Sequence, residues 1–213
     1  MMKQLRKTIR NILLEEFACA SITNKNIGDG IAELERQGFH ISSYYSPEEY
    51  DSGVAESIGL YVYNDNRDEI AWWLGEFQVT GEHCHGAFQC TNADAMWLKG
   101  TGVGALLYDV ACELVGKAGL SSDRNEVSDA AWKMWKYMTQ NDQTYDIKGT
   151  YDWDGEQTPD ALKDDCAGGS WEDHSDEWKN PAYNPLNQVF VKKDQSRPTI
   201  KCLKEKGLIE FEE

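Results

Sequence analysis

The segment Lys99–Gly104 reads KGTGVG, and a pattern typical of an amphipathic helix begins directly after it, with Leu106, Leu107, Val110 and Ala111 on one face. Glycine lets a backbone approach a ligand closely and adopt positive φ. The N-terminus of a helix supplies unpaired N–H groups and the positive end of its dipole. The segment therefore predicts a cradle for a phosphate or pyrophosphate group, although a plain glycine-rich turn before a helix has the same spacing.

Two other segments carry residue types that bind metals, but neither has an established metal-binding spacing. Residues 82–85 read Glu-His-Cys-His, and Cys90, Cys166 and His174 lie elsewhere in the chain. Residues 152–156 read DWDGE and resemble the start of a calcium loop, without its distal glutamate or flanking helices. We predict a surface loop at both segments and no bound metal.

Residues 142–183 form an acidic segment that is rich in aromatic side chains. Twelve acidic and three basic residues give it a net charge of −9, over half of the −16 of the whole chain. Its aromatic residues are Tyr145, Tyr151, Trp153, Trp171, Trp178 and Tyr183. Carboxylates and aromatic faces together bind cations, and long loops often act as lids over a site. A solvated loop whose rings pack against the domain has the same composition, and we favour it for most of these residues.

Length and composition predict one folded domain. The chain has 213 residues, of which 40% are hydrophobic and 11% aromatic. The net charge of −16 argues against direct nucleic-acid binding, which needs a basic surface. No membrane-spanning run and no signal peptide are apparent, so we expect a cytoplasmic protein. The six cysteines are scattered without a C-x-x-C pair, and we expect free, mostly buried thiols.

Hydrophobic periodicity predicts alternating strands and helices, with Ser128 as the N-cap of the last long helix. Helices are expected over residues 3–18, 27–37, 103–118 and 129–138. Strands are expected over residues 39–45, 57–63, 70–80, 87–95, 120–123 and 187–192, and the tail 198–211 is expected to be a short helix or irregular. The first helix is expected to dock on the core or to form a homodimer contact.

This order of strands, glycine loop, helix, short strand, helix and late strand resembles the GNAT N-acetyltransferase fold. The family signature Gln/Arg-x-x-Gly-x-Gly/Ala reads here Lys99-x-x-Gly102-x-Gly104, with lysine in the first place. The segment Gly119–Trp135 is similar to the strand-to-helix segment of many GNAT-like proteins of phages, through its Leu-x-Ser-Asp-Arg…Val-Ser…Ala…Trp pattern. The resemblance covers residues 57–138 and 187–193, and it implies a phage-encoded protein.

The resemblance implies an α/β (α+β) fold with a mixed, mostly antiparallel central sheet, two splayed parallel strands and flanking helices. We expect a single GNAT-like domain over residues 1–213. Its parts are N-terminal helices (1–38), an acetyl-CoA-binding core (57–138), the acidic insertion (142–183), and a final strand and tail (187–213).

The activity that the resemblance implies is transfer of an acetyl group from acetyl-CoA to an amine, either a small cationic amine or a protein lysine. The implied cofactor-binding residues are Met96, Lys99, Gly100, Thr101, Gly102, Val103, Gly104, Ala105, Asn125 and Trp135. The implied catalytic residues are Asp123 and Tyr137. The tyrosine that many family members use as general acid aligns with Trp135, and Tyr137 lies about 200° further around the helix. Because this alignment places Tyr137 away from the position of the family's general acid, replacing Tyr137 by Phe is expected to lower turnover by no more than about 10-fold.

Two other functions remain open from the sequence. One is an enzyme on the same fold that modifies nucleic acid, which would need a basic cleft. The other is a non-catalytic acidic module that binds a host protein, which would have an empty cleft and a convex face covered with carboxylates.

Overall fold

A computed structural model describes residues 19–50, 53–64, 69–73, 77–79, 87–90, 98–122, 127–149, 185 and 188–212. Within these ranges lie four helices: α1 (Lys25–Gln37), α2 (Val103–Val115), α3 (Asp129–Thr139) and α4 (Pro198–Glu205). The same ranges hold nine strands: β1 (Phe39–Tyr50), β2 (Gly53–Asn64), β3 (Glu69–Trp73), β4 (Phe77–Val79), β5 (Phe88–Cys90), β6 (Leu120–Ser121), β7 (Tyr145–Gly149), β8 (Gln188–Lys192) and β9 (Ile209–Phe211).

Several predicted features lie outside the described residues. They are the helix over 3–18, the segments 82–85 and 152–156, and the acidic segment from residue 150 to 183. Among the helices that are described, none combines the length and the apolar character needed to cross a membrane.

The described strands form one mixed sheet in the order β7-β8-β6-β5-β4-β2-β1-β9, and β3 pairs with β2 beside this path. The pairs β5–β6 and β1–β9 are parallel. The other pairs are antiparallel, so the predicted mixed, mostly antiparallel sheet is confirmed.

Helix α1 follows from its apolar spacing and its two ends. Its buried residues are Ile27, Gly30, Ile31 and Leu34, which is the spacing of one helix face. The Asn24 side chain caps the first turn by accepting a hydrogen bond from Asn26 N at 2.9 Å, so the helix begins two residues before the predicted start. Gly38 ends it in the left-handed conformation, so the helix ends at the predicted residue, Gln37.

Helix α2 is buried along most of its length and lies at the centre of the core. Leu106, Leu107, Val110 and Ala111 have 0% of their surface exposed. A 3₁₀ turn over residues 116–118 follows, and Gly119 leads into β6. Helix α3 begins as predicted, because Ser128 Oγ accepts a hydrogen bond from Ala131 N at 3.3 Å.

Two strands were not predicted. Strand β7 lies within the range assigned to the acidic insertion, where Tyr145 and Ile147 face inward and Asp146 and Lys148 are exposed. Tyr145 is only 2% exposed and packs edge-on against Phe190, so its ring packs against the domain as the loop interpretation predicted. Its assignment to a loop was wrong, because it lies in a strand, and its buried ring is not available for a cation cage. The tail divides into α4, which was anticipated, and β9, which pairs with β1.

The expectation of free thiols is wrong for one pair of cysteines. Cys19 and Cys202 form a disulfide across a Cα–Cα distance of 4.9 Å and a sequence separation of 183 residues. Cys90 and Cys112 are buried and are not disulfide-bonded. Because the paired residues are so far apart in sequence, no local spacing revealed them. Stable disulfides are uncommon in a reducing cytoplasm, so the pair does not fit the compartment expected from the sequence.

We expect reduction of this disulfide to destabilise the protein by about 2–4 kcal/mol, because the link closes a long loop in the unfolded chain. The measurement is urea unfolding with and without reductant. A variant with both Cys19 and Cys202 changed to Ala should be insensitive to reductant. Equal stability of the oxidised and reduced wild-type protein would contradict the expectation.

Candidate functional site

The glycine loop leads into α2 as predicted. Gly100 has φ 81° and Gly102 has φ 88°, conformations that side chains rarely adopt. Gly102 is the N-cap of α2 and has no side chain with which to cap the helix, and the first turn of α2 has no acidic residue. Among the described side chains, Thr101 approaches this turn, and its Oγ1 accepts from Val103 N at 3.4 Å. The positive end of the α2 dipole therefore has no anionic partner among the first-turn side chains.

The glycines of the loop have different roles. A Cβ on Gly102 would lie 2.3 Å from Asn26 O and 2.7 Å from Gly30 N, so this glycine permits close packing of the loop against α1. Among the described residues, a Cβ on Gly104 would meet nothing within 4 Å. Gly104 also has no positive φ. Neither packing against the described residues nor backbone conformation therefore requires a glycine at position 104.

The other predicted loop residues are placed unequally. Lys99 is exposed, whereas Thr101 is half-buried and donates its hydroxyl to Leu98 O at 2.6 Å. Val103 is fully buried and contributes its side chain to the core, and Ala105 is half-buried. Met96, Asp123 and Asn125 lie outside the described residues, so their assignments stay predictions.

The loop lies on the connection between two parallel strands. Strand β5 pairs with β6 through Phe88↔Leu120 and Gln89↔Ser121, and the Ser121 hydroxyl donates to Phe88 O at 3.3 Å. Helix α2 runs between these two strands in sequence. In α/β sheets, ligands bind beyond the carboxyl ends of parallel strands, and the glycine loop follows the carboxyl end of β5.

Trp135 and Tyr137 point to different surroundings. Trp135 is 1% exposed, packs edge-on against Tyr108 with ring centroids 5.2 Å apart, and stacks on Phe190. Its role is therefore core packing, with almost no surface left for a ligand. Tyr137 is half-buried, and its hydroxyl oxygen accepts a hydrogen bond from Asn24 Nδ2 at 2.5 Å. Burial, followed by the negative charge of Asp109, raises the pKa of Tyr137, while the Asn24 hydrogen bond opposes the rise.

Asn24 connects this tyrosine to the glycine loop. Asn24 caps α1, and the carbonyl oxygen of Asn26, two residues later, is the atom against which Gly102 packs. The N-terminal end of α1 therefore contacts both the loop before α2 and the Tyr137 hydroxyl on α3. No local pattern indicates the contact between Asn24 and Tyr137, because the two residues are 113 positions apart.

A buried charge cluster that sequence reasoning missed joins α2 to the end of the chain. Lys192 Nζ lies 2.6 Å from Asp109 Oδ2 and 2.6 Å from Glu113 Oε1. The three residues are 6%, 0% and 3% exposed. Asp109 Oδ2 also accepts from the Thr199 hydroxyl at 2.5 Å. The sequence feature that could have indicated this cluster is the pair Asp109 and Glu113, which are spaced i,i+4 on an otherwise apolar helix.

Glu113 also caps α4. Its Oε1 accepts from Thr199 N at 3.0 Å and its Oε2 from Ile200 N at 2.9 Å. The N-cap residue of α4, Arg197, makes no side-chain cap of its own. A carboxylate on α2 therefore satisfies the first N–H groups of α4 and complements its dipole.

The buried charge cluster makes the stability of the protein depend on pH in the alkaline range. Burial disfavours the ammonium form of Lys192, but the charges of Asp109 and Glu113 outweigh burial and raise its pKa. A raised folded-state pKa contributes stability in full below about pH 10, and the contribution is lost as pH rises through the folded value. Burial also raises the pKa of the neighbouring Cys112 thiol, which makes that cysteine unsuited to act as a nucleophile.

The described part of the chain contains no group of three side chains that could hold a metal ion. No protein-family model, no curated protein and no solved structure matches this chain.

Proposed function

We propose that this protein is an acetyl-CoA-dependent N-acetyltransferase with a GNAT-like fold. The observation that carries the proposal is the connection from β5 through the glycine loop and α2 to the parallel strand β6, within a mixed sheet. Parallel strands that flank a glycine loop and its helix are what the family resemblance implies.

The pyrophosphate of acetyl-CoA is assigned to the N-terminal end of α2. Three features of the loop support this assignment: the absence of an acidic residue in the first turn, the open space at Gly104, and the exposed cation Lys99. Backbone N–H groups and a helix dipole bind phosphates well in this geometry. The side chains of Val103 and Trp135, which are buried, take part only through the support they give to α2 and α3.

The proposed reaction is direct attack of a neutral amine on the thioester carbonyl. A C–N bond forms and the C–S bond breaks, so the amine nitrogen must lose a proton and the leaving thiolate must gain one. We assign the donated proton to the Tyr137 hydroxyl, which solvent then reprotonates. Asp123 remains the predicted acceptor of the amine proton, directly or through water.

The acceptor class rests on charge. The chain carries −16 in total, and much of this charge lies in residues 150–183, outside the described structure. A surface of this sign attracts a cationic amine, either a small polyamine or a protein lysine. With Tyr145 placed in the core, the aromatic residues that remain for cation binding are Tyr151, Trp153, Trp171, Trp178 and Tyr183.

The test is calorimetry with acetyl-CoA, followed by mass-spectrometric detection of acetylated product with a panel of amines. We expect binding of acetyl-CoA and an apparent KM for a cationic amine that rises several-fold as salt screens the attraction beyond about 10 Å. A variant lacking residues 150–183 should lose this salt dependence and keep its affinity for acetyl-CoA.

Absence of acetyl-CoA binding by the folded protein would overturn the proposed function. Binding of acetyl-CoA without turnover of any amine would indicate that the protein is a binding module and not an enzyme. A KM that is the same at every salt concentration would show that the acidic segment does not bind the acceptor.

A further inference from the structure

Asn24 uses both ends of its side-chain amide. The Oδ1 atom accepts from Asn26 N at 2.9 Å and thereby caps α1. Because only the amide oxygen can accept this bond, the Nδ2 group must face the other way, towards Tyr137 Oη at 2.5 Å. The cap therefore fixes the orientation of the amide, and the tyrosine receives a donor.

The direction of this hydrogen bond decides where the tyrosine proton lies. An amide N–H cannot accept, so the Tyr137 hydroxyl oxygen accepts from Asn24 and its own proton points elsewhere. A phenolate left after proton donation keeps the same donor at its oxygen, and a hydrogen bond to the charged form favours that form. A proton donor requires both a proton that points away from the Asn24 amide and a phenolate that is stabilised after the transfer.

The backbone of Tyr137 is held as well. Asn141 Nδ2 donates to Tyr137 O at 2.6 Å, at the C-terminal end of α3. Among the described groups, the buried Asp109 is the charged one that raises the pKa of Tyr137, and Tyr137 in turn raises the pKa of the buried Tyr145. Since burial and Asp109 both disfavour the Tyr137 phenolate, Asn24 is the identified contact that favours it.

We infer that Asn24 is a positioning residue, which fixes the Tyr137 hydroxyl so that its proton is presented to the leaving thiolate. The inference rests on the proposed acetyltransferase function. It assigns to the N-cap of α1 a second role that helix capping alone does not require. It also raises the expected cost of Tyr137→Phe above the sequence-based value, to about 100-fold in kcat.

The decisive variant is Asn24→Asp. Aspartate has nearly the same shape and caps a helix as well as asparagine does, but it has no N–H to donate. Its carboxylate instead accepts the Tyr137 proton and turns it away from the substrate. We expect kcat to fall about as far as in Tyr137→Phe, with the KM for acetyl-CoA within about twofold of the wild-type value and an unchanged melting temperature.

A second readout does not depend on activity. The Tyr137 phenol can be titrated by NMR of ¹³Cζ-labelled tyrosine, with its signal identified from its absence in Tyr137→Phe. We expect Asn24→Asp to raise the pKa of Tyr137 by at least about one pH unit, through loss of the donor and gain of a negative neighbour. The matched control is Asn141→Asp, which adds the same charge near the Tyr137 backbone and should raise this pKa much less.

The double variant Asn24→Asp/Tyr137→Phe should be no slower than Tyr137→Phe alone, because residues that act as a unit are not additive. Additive losses, or a Tyr137 pKa that is the same in wild type and Asn24→Asp, would overturn the inference. Absence of turnover in the wild-type protein would instead overturn the proposed function, and the titration would still report whether Asn24 controls the Tyr137 proton.

Discussion

Replacing Gly104 with Asp is expected to stabilise the protein while removing most of its affinity for acetyl-CoA. A carboxylate in the first turn of α2 complements the helix dipole by about 0.3–1 kcal/mol, and a Cβ at this position meets nothing within 4 Å. The same carboxylate repels a pyrophosphate at the same end of the helix, and like charges in contact cost several kcal/mol. Affinity should therefore fall by at least about 100-fold. Calorimetric melting and titration with acetyl-CoA measure the two effects.

Two other glycine variants are the controls. Gly104→Ala adds volume without charge, so it should stabilise α2 and weaken binding less than Gly104→Asp does. Gly102→Ala forces a Cβ into Asn26 O at a residue with φ 88°, so it should destabilise the protein whether or not a ligand binds there. A folded Gly104→Asp variant with wild-type affinity would show that the pyrophosphate does not bind at α2.

Replacing Lys192 with Met is expected to cost about 3–5 kcal/mol of stability, because it leaves two buried carboxylates without their cation. Asp109 and Glu113 are both within 2.6 Å of the Lys192 ammonium and are almost fully buried. Urea unfolding measures the loss. The wild-type protein should also lose stability as pH rises above about 10, and the variant should lose less over this range.

The neighbouring residue provides a matched control. Lys193 pairs with Asp146 at 3.5 Å, and both side chains are largely solvent-accessible. Lys193→Met should therefore change stability by no more than about 0.5 kcal/mol. Equal effects of the two substitutions would contradict the view that the buried cluster, and not lysine charge in general, stabilises this end of the chain.

Local patterns in the sequence were sufficient for the elements whose ends are set by neighbouring residues. The caps Asn24, Gly38 and Ser128 act within four residues of themselves, and the helices they bound were placed nearly correctly. Strand β7 was missed because its acidic neighbours dominated the composition, although Tyr145 and Ile147 alternate with polar residues as strands do. The acidic composition of residues 142–183 therefore obscured the short alternating pattern of β7.

Features made by residues far apart in sequence could not be predicted in this way. The Cys19–Cys202 disulfide, the β1–β9 pairing and the contact of Asn24 with Tyr137 all join distant segments. The glycine loop shows the same limit. Gly102 and Gly104 belong to one sequence pattern, but Gly102 packs against α1 and Gly104 does not. Only the position of α1 separates the glycine that packs from the glycine that leaves open space.

The charge cluster has a consequence for the order in which this protein is made. The ribosome synthesises α2, with Asp109 and Glu113, long before Lys192 and Thr199 emerge to neutralise and hydrogen-bond them. Until then, burying α2 would place two unpaired carboxylates in an apolar core, at high cost. The nascent chain is therefore expected to keep this apolar helix out of its final position until Lys192 and Thr199 have been synthesised.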